Sequence, residues 1–229
     1  MVYVLATSHA WNEELSQEVE IATGHSVILI NKKEDLSNYN LQKIGPRYIF
    51  FPHWSYIVPP QIYNKFECVI FHMTDVPFGR GGSPLQNLIS RGIYETKITA
   101  LKCQSEIDAG PVYMKKPLSL FGTAEEIYLR ASRIVRDMII EIINKEPVPQ
   151  EQKGVATNFT RRKPEEGNIN NLCELEEVFD YIRMLDAEGY PPAFLETEKF
   201  KFEFKRASLK FNKIIADVII TKKSEDIKS

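Results

Sequence analysis

His72 closes an apolar run, ECVIF (67–71), and opens the stretch HMTDVPFGRGGSPLQNLI (72–89), rich in proline and glycine. Three chemistries fit such a residue. GRGG hints at a phosphate cradle, but neither GxxxxGK[ST] nor a GxGxxG opening a helix after a strand is present. A tight turn that lets a ligand approach the backbone is the better reading of these glycines. His72 itself stays open between a structural ring bonded to a nearby carbonyl and an acid–base group at a strand end. Open parallel sheets present functional groups at the carboxyl ends of their strands. Asp108, in SEIDAGPVY (105–113), is the natural counterpart. An Asp before Ala-Gly is either a turn residue making local backbone bonds or a carboxylate that orients and charges an imidazole. Together the two residues point to His–Asp chemistry without naming its object.

These side chains need a scaffold, and the apolar pattern supplies one. VYVLA (2–6), SVILI (26–30), RYIFF (47–51) and CVIFH (68–72) have strand length and are β-branched or aromatic. Near-continuous apolarity suits strands covered on both faces, as in a parallel sheet. WNEELSQEVEIATG (11–24) has helical spacing and a closing glycine, which makes a βαβ opening. SPLQNLISRG (83–92) reads as a second helix, and TKITALKC (96–103) and PVYMKKPLSL (111–120) as two further strands. TAEEIYLRASRIVRDMIIEIIN (123–144) is amphipathic, with Thr123 and Glu126 as a capping box. PVPQEQKG (147–154) breaks the pattern as a linker. Beyond it a polar loop, a helix (ELEEVFDYIRML) and two strand-like runs, KFKFEFKRA and KIIADVIITK, suggest a C-terminal helix plus β-hairpin; the closing KKSEDIKS is expected to fray. The predicted fold is therefore α/β: a Rossmann-like, mostly parallel sheet flanked by helices over 1–150, with a small extension over 151–229. The hairpin's edge strands need covering, and a homodimer would do so.

Bulk composition narrows the partners. The 229 residues carry 29 basic and 31 acidic side chains, so no broad basic field for nucleic acid is expected. Cys68, Cys103 and Cys173 lack CxxC spacing and read as reduced thiols rather than disulfides or a metal site. No leader and no membrane-length apolar run are evident, so a cytoplasmic protein without membrane partners is expected.

At this point the residues resemble the folate-dependent formyltransferase family, whose pattern runs H-x-S-x-L-P-x-x-R-G, then P-L/I, then D-A-G-x-I. His72, Thr74, Pro77, Arg80, Gly81, Pro84 and Asp108-Ala109-Gly110 fall onto it in order. FTRRKPEEG (159–167) and DYIRMLDAEGYPPAF (180–194) resemble later segments, so the likeness spans about residues 47–195. The resemblance implies transfer of a formyl group from N10-formyltetrahydrofolate to an amine, without a metal. His72 would donate to the growing oxyanion and Asp108 would hold the ring and shuttle the amine's proton. One departure stands out. The family places Asn two residues before the histidine as a second oxyanion donor, and here that residue is Ile70. Thr74, Asn87 or a backbone N–H are the expected substitutes; a non-catalytic folate-binding homologue is the reading Ile70 would motivate if none serves.

The loop PHWSYIVPPQIY (52–63) resembles the family's pterin-binding segment. Backbone groups of Tyr56, Ile57 and Val58 would pair with the pterin edge, and Trp54 would line the pocket unless it and Tyr56 are ordinary core aromatics. Gln104, Ser105, Glu106 and Ile107 would form the opposite wall. The wording of 72–89 is most similar to nucleotide-sugar N-formyltransferases of pseudaminic-acid-type pathways. On that likeness the acceptor is the 4-amino group of a UDP-linked aminodideoxy sugar; another small amine such as glycinamide ribonucleotide is the alternative. Trp11 and Asn12 would lie along this substrate, and Arg80 and Arg183 would meet its phosphates, unless Arg80 clamps its own loop.

Overall fold

A computed structural model describes residues 1–223; the frayed end expected from KKSEDIKS falls, for 224–229, outside the described residues. The apolar runs form strands because their side chains fill both faces of one sheet. β1 (Val2–Ala6) is the central example: Tyr3, Val4, Leu5 and Ala6 are all buried. Each fully buried aliphatic side chain of this kind contributes about 1.5–3 kcal/mol. After β1 come α1 (Leu15–Thr23), β2 (Ser26–Ile30), α2 (Asn38–Ile44), β3 (Ile49–Phe51), α3 (Pro60–Tyr63) and β4 (Cys68–His72). Next follow the short β5 (Arg80–Gly81), α4 (Pro84–Ile89), β6 (Glu95–Lys102), β7 (Val112–Ser119) and α5 (Ala124–Lys145). The chain closes with β8 (Asn158–Phe159), α6 (Leu175–Arg183), β9 (Ala193–Glu196), β10 (Phe200–Lys210) and β11 (Lys213–Lys222).

The main sheet has the order β2-β1-β3-β4-β6-β7. β1 pairs in parallel with β2 and β3, β3 pairs in parallel with β4, and β6 returns antiparallel on β4. The mostly parallel α/β fold expected from the apolar runs is what forms. β2 sits at the sheet's edge, which is why its burial alternates where β1's does not. Since β2 and β3 leave β1 in opposite directions, the switch point of the sheet lies between β1 and β3. On one face Val4, Ala6, Ile49, Phe51 and Cys68 pack with Leu41 of α2 and Ile62 of α3. The capping box at the head of α5 also forms: Thr123 N–H donates to Glu126 Oε2 at 2.8 Å and Glu126 N–H to Thr123 Oγ1 at 3.3 Å.

The chain divides into two compact units. The first comprises Met1–Pro84, Thr96–Leu118 and Leu129–Phe159, and holds most of the main sheet. The second comprises Leu85–Glu95, Ser119–Tyr128 and the chain from Thr160 onward. In the second, β11-β10-β9 form an antiparallel sheet on which α6 packs. β11 is an edge strand there and leaves Ile215, Val218, Ile219 and Ile220 exposed.

Candidate active site

β4 delivers His72 to the carboxyl end of the sheet, opposite Thr99 of β6. Its Nδ1 lies 3.4 Å from Asp108 Oδ2, and its Nε2 lies 2.8 Å from the Gly79 carbonyl. Thr74 Oγ1 donates to the same carbonyl at 3.2 Å. The ring therefore sits between two acceptor oxygens, one neutral and one a carboxylate. With His72 only 7 % and Asp108 only 9 % exposed, little water screens their interaction.

The glycine-rich turn serves the carboxylate, not a phosphate. Gly81 N–H donates to Asp108 Oδ2 at 2.9 Å. Asp108 takes a left-handed backbone (φ +53°), which aims its side chain back across the turn. Gly110 then has to be glycine: a Cβ there would stand 1.8 Å from the Lys102 carbonyl of β6. One residue that the sequence reading passed over ties the parts together. Gln152, in the supposed linker, accepts from Arg80 Nε (3.1 Å) and Nη2 (2.8 Å) through its oxygen. Its amide nitrogen donates to the carbonyls of Asp108 (2.8 Å) and Gly110 (2.9 Å). Nothing in PVPQEQKG announces this clamp, because it depends on a long-range fold-back.

Arg80 needs correction as a phosphate contact. Two of its nitrogens are held by Gln152 and a third by Glu106 Oε1 at 3.0 Å, so it is a clamp for its own loop. Arg183 needs a firmer one. It is buried inside the second unit, paired with Asp180 Oδ1 at 2.6 Å and donating to the carbonyls of Leu120 and Gly122. A guanidinium so enclosed offers nothing to a ligand phosphate. Asn12 is likewise a strut: it is buried, with Nδ2 bonded to Thr7 Oγ1 and the Pro52 carbonyl, each at 3.3 Å. Trp11 is half-buried and stacks on His9 with ring centres 4.3 Å apart.

The two loops named for the folate flank β4. Trp54, which follows β3, and Cys103, which follows β6, pack with Ile70 on the same apolar cluster. Trp54 Nε1 is enclosed without a hydrogen-bond partner among the described residues. The backbone N–H groups of Tyr56, Ile57 and Val58 likewise have no partner among the described residues. Tyr56 and Ile57 are exposed, Val58 is buried, and Gln104, Ser105, Glu106 and Ile107 all face solvent. Unused donors of this kind on the Tyr56–Val58 stretch are suited to the edge of a flat, hydrogen-bonding ring. Burial and the Asp108 charge push the Cys103 thiol up to about 11, so it is no nucleophile at neutral pH.

The substitutes expected for the missing asparagine are already engaged. The Thr74 hydroxyl is committed to Gly79 O, and Asn87 belongs to the second unit, where its Nδ2 donates to the Thr160 carbonyl at 2.9 Å. The backbone N–H groups of Gly79, Arg80, Gly81 and Gly82 all have partners as well. Ile70 itself packs on the apolar cluster. Among the described residues no group of three or more His, Cys, Asp or Glu side chains is arranged to hold a metal, and no helix is long and apolar enough to cross a membrane.

A mostly parallel sheet flanked by helices, with His72 at the end of β4 in contact with Asp108, is a Rossmann-like build. The solved structure of methionyl-tRNA formyltransferase from Clostridium thermocellum superposes with a TM-score of 0.95 at 51% identity, over 97% of this chain and 100% of that one. The chain belongs to the folate-dependent formyltransferase family. Residues 164–221 match the family profile described as methionyl-tRNA formyltransferase, C-terminal domain. The methionyl-tRNA formyltransferase of Thermotoga sp. (strain RQ2) is 28% identical over 181 residues, 75% of this chain; the chain spans 57% of that relative's length. A sugar N-formyltransferase from Shewanella shares the fold at a TM-score of 0.72 and 15% identity, over 92% of this chain and 99% of that one.

Proposed function

We propose that this chain transfers the formyl group of N10-formyltetrahydrofolate to a primary amine, and that the amine is carried by a nucleotide-linked aminodideoxy sugar. The contact between His72 and Asp108 at the sheet's carboxyl end carries the reading. The donor supplies an activated one-carbon unit. Its ring would sit between Trp54–Val58 and Gln104–Ile107, with the backbone N–H groups of Tyr56, Ile57 and Val58, which have no partner among the described residues, along its edge. As the amine attacks, His72 presents an N–H to the carbonyl oxygen on which negative charge grows. In this conformation Nε2 faces Gly79 O, so the ring must release that carbonyl, and the Thr74 hydroxyl remains to satisfy it. Asp108 steadies the ring at Nδ1 and accepts the proton that the amine sheds; collapse of the tetrahedral adduct breaks the bond between the formyl carbon and N10, and that proton passes to N10 as tetrahydrofolate leaves.

A panel of amines decides the matter by mass spectrometry. A gain of one formyl group on a UDP-linked amino sugar, dependent on the folate donor and absent with His72→Ala, is expected. Donor binding without transfer to any amine would leave only a folate-binding protein.

A second acceptor, methionyl-tRNA, is favoured by a specific observation. Between Lys199 and Lys223 the chain has eight Lys or Arg side chains against two acidic ones, a local basic hairpin that the near-zero net charge conceals. The expectation of no nucleic-acid partner rested on that net charge. A steep loss of affinity for tRNA with added salt is the signature of such a contact. Pairing of two β11 edges into a homodimer belongs to the first reading, and sedimentation tests it.

A further inference from the structure

Three of the chain's four histidines collect at the carboxyl ends of adjacent strands. His9 follows β1, His53 follows β3, and His72 ends β4. Leu5 pairs with Phe50 and Phe51 with Ile70, so β1, β3 and β4 run side by side up to the loops that carry His9 and His53. The Ser8 hydroxyl joins these two loops by donating to the His53 carbonyl at 3.0 Å. Adjacent strands are about 4.8 Å apart, so the loop after β3 leaves one spacing from β4 and the loop after β1 two.

The two loops are laced into one platform. Ser8 Oγ and Ser55 Oγ are 2.8 Å apart, Ser55 N–H donates to Ser8 Oγ at 3.0 Å, and Asn12 ties in Pro52. His9 stacks on Trp11 at 4.3 Å, and His53 meets His9 edge-on at 4.2 Å and Trp11 at 5.6 Å. The hydroxyls also fix the His9 tautomer. Ser8 gives its hydrogen to the His53 carbonyl, so Ser55 donates to Ser8. Ser55 Oγ then accepts from His9 Nε2 at 3.4 Å, which leaves Nδ1 of His9 with its lone pair.

We infer that His9, Trp11 and His53 seat the sugar ring next to the reacting amine of the acceptor. The aromatic faces take the apolar C–H side of a hydroxylated ring, and His9 Nδ1 accepts from one of its hydroxyls. Burial lowers the affinity of both imidazoles for protons, so they are uncharged at neutral pH and hold no counter-charge for a phosphate. This inference rests on the formyl-transfer reading and specifies which part of the acceptor meets the β1–β3 crevice.

The test measures steady-state kinetics of His9→Ala and Trp11→Ala on a UDP-linked amino sugar, glycinamide ribonucleotide and methionyl-tRNA. For whichever acceptor the wild type formylates, each variant raises the acceptor KM about five- to tenfold, the weight of one aromatic or hydrogen-bond contact. The KM of the folate donor stays within about twofold. His9→Asn, with an amide oxygen near the place of Nδ1, recovers most of the loss. An unchanged acceptor KM in both variants, or a donor KM that rises alongside, overturns the assignment. If the wild type formylates none of the three, formyl transfer to these acceptors fails separately. Binding then decides the shelf: Trp54→Phe leaves Trp11 as the sole indole, and quenching by the amino sugar nucleotide but not by UDP alone supports it. Equal quenching by both, or none, overturns it.

Discussion

Asp108 Oδ2 accepts the Gly81 backbone N–H at 2.9 Å while facing His72 Nδ1 at 3.4 Å. One oxygen thus joins the turn that follows the histidine to the ring itself. Asp108→Asn can keep the Gly81 contact through its amide oxygen but removes the negative charge beside the imidazole. Turnover with a saturating donor is expected to fall by about 10²- to 10⁴-fold, the usual weight of a positioned acid–base group. The donor KM should move little, and initial rates at varied donor concentration check both.

Gln152 separates support from chemistry. Gln152→Ala loses two bonds to Arg80 and two to the Asp108–Gly110 turn. At about 1 kcal/mol per bond, and less when summed, a lowering of Tm by several degrees is expected together with slower turnover. Gln152→Glu still accepts from Arg80 but cannot donate to the two carbonyls. It should recover stability more than activity, and thermal melts run beside rate measurements separate the two.

Ile70 stands two residues before His72 on the same strand, where the family resemblance leads one to expect an asparagine. Among the described residues Thr74, Asn87 and the Gly79–Gly82 backbone already have partners. Ile70→Asn should therefore raise turnover, by up to about a hundredfold if the amide reaches the oxyanion. It should also cost stability, since an amide enters the apolar cluster shared with Trp54 and Cys103. A variant no faster than wild type would show that the oxyanion is already served.

His53 is expected to add to the loss of stability in acid. Burial first, and the neighbouring His9 second, lower its pKa from 6.5 to about 3. The unfolded chain takes up that proton near pH 6.5 and the folded chain resists it, so stability is fully present above pH 6.5 and is lost as pH falls towards 3. His53→Asn, which tolerates the positive φ of 53°, removes the titrating ring. Urea unfolding between pH 7 and 4 should show a shallower decline for this variant. Identical slopes would mean that the ring titrates normally.

Much of this was legible in the residues. VYVLA, SVILI and CVIFH were readable as strands because β-branched side chains on both faces leave few alternatives. The His72–Asp108 pairing was readable because His72 ends an apolar strand and Asp108 stands before Ala-Gly in the turn between two others. Arg80, Arg183 and Asn12 were misjudged as ligand contacts because a polar residue in a loop or helix does not reveal the carbonyls and carboxylates that the fold brings to it. His53 and His9 carried a usable signal, since each follows a strand as His72 ends one. Gln152 carried none. The charge of the hairpin was present in the sequence but averaged away by the acidic remainder of the chain.

The most direct test is a comparison of wild type and His72→Asn for formylation of an amine acceptor by N10-formyltetrahydrofolate, with donor binding measured in parallel. The account predicts unimpaired donor binding and a loss of at least about a hundredfold in turnover, on the scale of a lost acid–base group. Equal turnover by the two proteins would contradict it.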